Sequence, residues 1–351
     1  MVIKVPFVFL KKGNNSPLNS QTIFSFFAVW ASLVAIHLHW QIDHWYKYSF
    51  GLNKAQDFHT RILSLDLSKD PAYFLVQAIF SGLGSFEVFF GILILICLAL
   101  KFSALLQVTP RPELLDVAPY LLVLGFMHEG IQMRIAIALS ISLWAIIFFA
   151  KDRRISACLL VAIAALFHIT AATFFLVFFL VYLYERLGLI ILVGAAIISG
   201  ILAYTSVIPD ILIKVGYITN ARFMAYSQGT FFENQNKTGL FQYFIVFVLF
   251  LILCVWRYYK PHCLVWKNLK LIALTSGLMA AAILQIFRFN VVVSARLAEL
   301  LLLPVLLVLG ATLVQLKNDK KYLALSCVVA ALVFYCAVRG IISFNQTPLP
   351  L

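Results

Sequence analysis

The stretch IQMRIAIALSISLWAIIFFA (Ile131–Ala150), KDRR (Lys151–Arg154), ISACLLVAIAALF (Ile155–Phe167) is two apolar runs joined by a turn of one acid and three bases. Only Gln132, Arg134 and a few serines interrupt the runs, and no polar stripe recurs at helical spacing. A helix apolar all round is buried in a large core or crosses a bilayer. The rest of the chain decides between these. It has 351 residues, 63% hydrophobic and only 12% charged, with mean hydropathy +0.98. A soluble domain carries about 25% charged residues and has no core able to hide this many apolar side chains. The fold class is therefore an all-α polytopic integral membrane protein. That excludes nucleic-acid enzymes, Rossmann oxidoreductases and secreted disulfide scaffolds.

Crossing the hydrocarbon takes roughly 17 to 25 mostly apolar residues, helical so that every backbone amide is satisfied without water. Eleven transmembrane helices are predicted: Thr22 to Trp40, Phe86 to Leu106, Leu114 to Met127, Ile131 to Ala150, Ile155 to Phe167, Ile169 to Tyr184, Leu187 to Ile208, Leu240 to Tyr259, Leu269 to Phe287, Arg296 to Leu316 and Tyr322 to Phe344. The third, fifth and sixth are short, so they are expected to be tilted, broken or sheltered.

The chain holds 27 Lys+Arg against 14 Asp+Glu, a net +13. With the N-terminus in the cytoplasm, the groups Lys4–Lys12, Lys151–Arg154 and Lys317–Lys321 fall on that side, together with Lys101. The outer side is then nearly balanced in charge, as the positive-inside bias demands. The first span has no small-residue cleavage site behind it and reads as a retained helix. Residues 1–351 thus form a single transmembrane domain, C-terminus periplasmic. Its first periplasmic loop covers 41–85 and a second, large periplasmic loop covers 209–239. Within the first, Asp70-Pro71 opens Ala72 to Leu83, too short to cross and read as an interfacial half-helix. Trp30, Trp40, Trp45, Tyr46 and Tyr48 suit an aromatic belt at headgroup depth. The six cysteines lie in apolar stretches or a basic cytoplasmic loop and suggest no bridge.

Arginines placed in apolar helices are costly, at least ~2.5 kcal/mol near the bilayer centre, and generally face a polar path. Here they are Arg134, Arg288, Arg296 and Arg339, with Arg222 in the second loop. Convergent guanidinium forks suit a diphosphate. For Arg296 the alternative is an ion pair with Glu299 three residues on, and for Arg339 snorkelling to the interface. His168, at an outer helix end, is a candidate base because imidazole exchanges protons near neutrality; a hydrogen-bonded structural histidine is the plainer alternative. His128, Glu129 and Gln132 lie close enough in sequence to line the cavity that Arg134 enters, and helix capping accounts for Glu129 nearly as well. Asp57, Asp66, Asp70, Asp210 and Glu233 are each able to orient or deprotonate a hydroxyl, and none stands out. The second loop, with Tyr217 and Tyr226 among its aromatic and amide side chains, suits sugar rings or an interfacial position equally. There is no Walker loop, no His-x-x-x-Asp pattern and no cysteine cluster, so no nucleotide, cofactor or metal is expected.

Gln132-Met133-Arg134-Ile135, followed by Ala165-Leu166-Phe167-His168-Ile169-Thr170-Ala171 and preceded by Asp70-Pro71-Ala72-Tyr73, resembles the EpsG family of Wzy-like bacterial polysaccharide (O-antigen) polymerases. Family members carry Gln-x-Arg-Gln at a helix start, Phe-His-x-Ser/Thr-Ala about thirty residues later, an earlier acid-Pro-x-aromatic element, and a late helix that begins with arginine, here Arg296. Ile135 stands where the family has a second glutamine. The family's Arg-x-Gly-x-Asp-Tyr is reduced to Phe50-Gly51 with Asp57 further on, and Glu299-Leu300 follows the late arginine in place of aromatics. The resemblance implies a polymerase joining undecaprenyl-diphosphate-linked oligosaccharides at the periplasmic face of the inner membrane, without metal or cofactor. It implies diphosphate binding by Arg134, Arg288, Arg296 and Arg222, catalysis by His168 with Glu129 or Asp57 as alternatives, and substrate contacts from Gln132, His128, Tyr217, Tyr226 and Glu299. A chain-length-regulating membrane protein is the implied partner, alongside the lipid bilayer; no nucleic acid is involved. Two other functions stay open at this point: a lipid-linked sugar ligase or single-addition glycosyltransferase, and a flippase of lipid-linked oligosaccharides.

Overall fold

The computed structural model describes residues 50–51, 55, 60, 70–82, 84–109, 112–125, 133–205, 237–287 and 291–345. Among these residues the structure is helical throughout, with no strand. Helix α1 spans Pro71–Ser81, α2 Phe86–Leu106, α3 Leu114–Tyr120 continued by a wider π turn Leu121–Gly125, α4 Met133–Ala150 and α5 Arg154–Phe167. A 3-10 turn, Ile169–Ala172, leads into α6 Thr173–Leu187 and α7 Leu189–Tyr204. After the second loop come α8 Lys237–Tyr258, α9 Leu264–Ile286, α10 Val291–Leu301, α11 Leu303–Asn318 and α12 Tyr322–Asn345. Four of the described helices are long and apolar enough to cross a membrane: Phe86–Leu106, Met133–Ala150, Ile169–Leu187 (with its opening turn) and Leu264–Ile286. The outside of the bundle is apolar. Leu159, Ile163 and Leu166 on α5 and Ile190, Ile197 and Ile201 on α7 are exposed, where a water-facing helix would carry polar groups.

Several breaks have local causes. Pro119 lies inside α3, which widens into the π turn directly afterwards, because proline removes an amide donor and crowds the preceding turn. Gly188 takes a left-handed backbone (φ 68°) between α6 and α7, a conformation glycine adopts without a Cβ penalty. The span expected from Arg296 to Leu316 is instead two helices meeting at Leu302. Pro304, in the first turn of α11, supplies no amide hydrogen, and the neighbouring Leu301 carbonyl accepts from Ser276 Oγ of α9 at 2.6 Å. Arg296 therefore sits within α10 and does not begin a helix. Residues 237–239 of the expected second loop are helical, at the start of α8, and the rest of that loop, 209–236, lies outside the described residues.

One end of the bundle is closed by polar ties between turns. Lys151 Nζ donates to Gln107 Oε1, Trp266 Nε1 to the Val108 carbonyl and Asn268 Nδ2 to the Ala150 carbonyl. Arg154 pairs with Asp152 and Glu185, and Lys317 with Glu113. Gln315 and Lys260 exchange two bonds through the Gln315 amide. These are the turns that the charge pattern assigned to one side. Lys101, counted with them from sequence, is instead buried between α2 and α4, donating to the Ala136 carbonyl at 3.0 Å and Ser140 Oγ at 2.8 Å. Trp144 Nε1 reaches the Leu100 carbonyl; contacts that advance together along both chains make α2 and α4 parallel.

Helix α11 crosses α3 with almost no gap at Gly310, where a Cβ would collide with the Asp116 main chain. Gly310→Ala should destabilise the protein by about 1–3 kcal/mol, the usual range for overpacking. Gly91→Ala, where a Cβ meets nothing within 4 Å, is the control. Thermal unfolding in detergent should show a lower midpoint for the first variant only, and equal midpoints would contradict the close crossing.

Candidate active site

At the other end of the α4–α5 hairpin, three residues from three segments converge. Arg134 lies one residue into α4 and His168 follows the last residue of α5. His168 leaves the helix in an extended conformation (φ −159°, ψ 117°). Its amide is still bound to the Ala164 carbonyl, and its own carbonyl accepts from Ala171 N, both at 2.9 Å. The imidazole is thus fixed at a helix-to-turn junction. Asp70 precedes α1, with Pro71 in the first helical turn, where its missing donor costs nothing. Asp70 itself adopts a left-handed backbone, φ 45° and ψ 55°. Asp and Asn tolerate that region better than other non-glycine residues, and such strain persists where surrounding contacts over-determine it.

Those contacts come from both carboxylate oxygens. Asp70 Oδ2 accepts from Arg134 Nη1 at 2.5 Å, and Asp70 Oδ1 lies 3.5 Å from His168 Nδ1. The side chains are 7% (Asp70), 25% (Arg134) and 12% (His168) exposed. The second approach is an electrostatic contact, slightly too long for a formed hydrogen bond. Both imidazole nitrogens, and Thr170 Oγ1 two residues on, are buried without a hydrogen-bond partner among the described residues. Buried polar atoms are nearly always satisfied, so this end of the hairpin retains unused hydrogen-bonding capacity. Burial pushes the Asp70 carboxyl up, but His168 and Arg134 outweigh it and hold the group below its ordinary value.

The surroundings suit a polar pocket inside an apolar envelope. Helix α1 buries Tyr73, Gln77 and Ser81 and exposes Leu75 and Ile79, the reverse of a water-facing helix. Tyr73 packs in a cluster with Phe86, Phe89 and Phe90 of α2 and Met133 of α4. Helix α10 packs against the Ile169–Ala172 turn, which brings the helix bearing Arg296 and Glu299 to the same end. No ion pair joins Arg296 to Glu299 among the described residues; Glu299 is buried and Arg296 half-buried. No group of three or more His, Cys, Asp or Glu side chains suited to a metal ion occurs among the described residues.

Of the residues expected from sequence, the structure brings His168 and Arg134 together around Asp70. Asp57, His128, Glu129, Gln132, Tyr217, Arg222, Tyr226 and Arg288 lie outside the described residues, as do the tryptophans of the aromatic belt. Arg339 is on α12, with its side chain outside the description. Sequence reasoning missed Asp70 as the hub, treating it as one of five equivalent acids. Its signal was Pro71, which makes a helix start, and hence a fixed carboxylate, directly after it.

The model of the EpsG family matches residues 22–350, nearly the whole chain. The chain belongs to the EpsG family, the family of Wzy-like polymerases. No curated protein and no solved structure matches it. EpsG membership points to a membrane glycosyltransferase or polymerase of polysaccharide biosynthesis, and the three elements that carried the resemblance, around Asp70, Arg134 and His168, are those that meet here.

Because the folded Asp70 carboxyl is more acidic than its ordinary 3.8, its contribution to stability is whole above that value. It is lost as the pH falls through the lower folded value. In detergent, the wild type should unfold at a higher temperature than Asp70→Asn at about pH 5, and the gap should narrow below about pH 3.5. A gap that persists undiminished to about pH 2.5 would mean that the ionised carboxylate is not its source.

Proposed function

We propose that the chain is a polymerase that joins undecaprenyl-diphosphate-linked oligosaccharide repeat units into a surface polysaccharide at the periplasmic face of the bacterial inner membrane. The observation that carries this reading is the convergence of an arginine, a carboxylate and an imidazole whose nitrogens make no formed hydrogen bond, at the bundle end opposite the polar, basic turns, in a chain of the EpsG family. In this reading the chain crosses the membrane eleven times, N-terminus cytoplasmic and C-terminus periplasmic. Helix α1 lies at the outer interface, and the basic turns take the cytoplasmic side by the positive-inside bias.

The reaction is a single displacement. The acceptor is the non-reducing end of a fresh lipid-linked unit, and one of its hydroxyls gives up its proton to His168, with Glu129 or Asp57 as alternative bases. The freed oxygen lone pair forms the new bond to the anomeric carbon of the growing chain. The bond from that carbon to the diphosphate oxygen breaks, its electron pair leaves on the diphosphate, and the configuration inverts. Arg134, Arg288, Arg296 and Arg222 neutralise the leaving group, an interaction that strengthens as charge develops and so lowers the barrier without a metal. A guanidinium has five N–H donors, and Arg134 gives one of them, on Nη1, to Asp70. Gln132, His128, Tyr217, Tyr226 and Glu299 contact the sugars. A chain-length-regulating membrane protein is the proposed partner.

Arg134→Ala or Arg296→Ala should lower polymer synthesis on the order of 10²- to 10³-fold, as loss of one transition-state donor does. Singly capped lipid should stay intact in cells expressing the stably inserted variant. Purified protein given a defined undecaprenyl-diphosphate oligosaccharide should yield a ladder of products on a gel. One added unit would instead mark a single-addition transferase, and headgroup movement across liposomes without new glycosidic bonds would mark a flippase.

A further inference from the structure

We propose that Asp70 is a positioning residue for His168: its Oδ1 fixes the imidazole with the proton on Nδ1, leaving the Nε2 lone pair as the basic atom, while Arg134 holds the carboxylate in place by Oδ2.

A neutral imidazole has one donor and one acceptor nitrogen, and the partner of one decides the character of the other. A carboxylate accepts only, so a nitrogen facing it is stabilised when it carries the hydrogen. Here that nitrogen is Nδ1, 3.5 Å from Asp70 Oδ1. Nε2 has no hydrogen-bond partner among the described residues, and so remains available as an acceptor. The separation is long for a hydrogen bond, as catalytic contacts often are before substrate binds, and a few tenths of an ångström closes it.

Three features keep the carboxylate aimed at the ring. The backbone of Asp70 is left-handed and followed by Pro71, and the carbonyl of Asp70 accepts from Tyr73 N and Phe74 N at 3.0 and 3.3 Å. Oδ2 is engaged by Arg134, on the first turn of α4. Helix α4 is itself tied to α2 half a turn further on, by Lys101 Nζ to the Ala136 carbonyl and Ser140 Oγ to both the Ala136 and Cys97 carbonyls. Among the described residues, the charged groups brought to this end by the packed elements include Asp70 ahead of α1, Arg134 from α4, and Arg296 and Glu299 from α10. Of the two acids, Asp70 is the one in contact with the imidazole.

This geometry separates the duties of the site: Nδ1–H faces Asp70, and the proton of an incoming hydroxyl goes to Nε2. Without Asp70 the ring is free to take the other tautomer, which free histidine prefers in water and which places the proton on Nε2, where it blocks acceptance.

Two measurements test the proposal, and only the second rests on the polymerase reading. First, protein labelled with 15N-histidine is placed in nanodiscs at about pH 8, and the His168 signal is assigned by its loss in His168→Gln. The wild type should show the Nδ1–H tautomer, and Asp70→Ala should shift it towards Nε2–H. Asp70→Glu should retain Nδ1–H. An Nε2–H ring in the wild type, or no change in Asp70→Ala, overturns the proposal whatever reaction the protein performs. Second, in the polymerisation assay Asp70→Ala should lower kcat about 10²- to 10⁴-fold, the range of general-base contributions, with the KM for the lipid-linked donor changed less than about threefold. The Asp70→Ala/His168→Ala double variant should be no slower than His168→Ala alone, because residues acting as a unit are not additive. A double variant slowed by the product of the two single effects would make Asp70 merely structural. A wild type with the expected tautomer but no polymer in any assay would overturn the polymerase reading and leave the Asp70–His168 relation standing.

Discussion

A single carboxylate, Asp70, faces a guanidinium on one oxygen and an imidazole on the other, and three segments far apart in sequence depend on that sharing for their arrangement. Away from bulk water a lone carboxylate is costly to ionise, and its attraction to nearby positive charge grows as the dielectric falls. Arg134 and His168 favour the ionised form of Asp70 here, and Asp70 in turn meets the Arg134 charge at the start of an apolar helix. The left-handed backbone of Asp70 is held by the same contacts.

The rest of the bundle follows a related constraint. Between helices surrounded by lipid, apolar contact alone has little power to choose register, since acyl chains are as apolar as leucine. Register is set instead by close main-chain approach and by polar links with few possible partners. Gly310 lets α11 reach the Asp116 main chain, and Ser276 takes up the Leu301 carbonyl beside Pro304. Lys101 and Trp144 bind α2 to α4. The Lys101 link lies just beyond Arg134 on α4, so a fixed helix start supports the charge at its tip. The opposite end is closed by ion pairs and carbonyl caps among the turns.

This division of the molecule suits a reaction whose substrate is itself divided. A polyprenyl lipid is apolar along its tail and doubly anionic at its head, and the proposed site has an apolar envelope around cationic and imidazole groups at one end only. The exposed aliphatic faces of α5 and α7 suit an apolar surrounding such as lipid, and Tyr73, Gln77 and Ser81 turn the polar side of α1 inward. The proposed transfer needs a proton acceptor and a place for developing negative charge within one small region, and an aspartate, an arginine and a histidine in contact supply groups of the right kinds.

Sequence by itself determined that the described elements are helical, because in lipid every backbone amide must be satisfied within its own helix and apolar length then reports on span. The interval Phe86–Leu106 was read residue for residue, and the ends of α4 and α5 to within two. It also determined that Arg134 and His168 lie at one end of a hairpin, since the basic turn between their helices fixes the hairpin's length, and the family emerged from the short motifs around them. Tertiary structure alone decided that Asp70 meets both of them, because a loop carboxylate carries no periodicity to report its neighbours. It decided that Lys101 is buried between α2 and α4, since a long side chain near a helix end can snorkel or turn inward, and the choice lies with the partner helix. It decided, too, that Arg296 sits within α10: Pro304 and the hydroxyl of Ser276 set that break together, and the serine is supplied by a different helix.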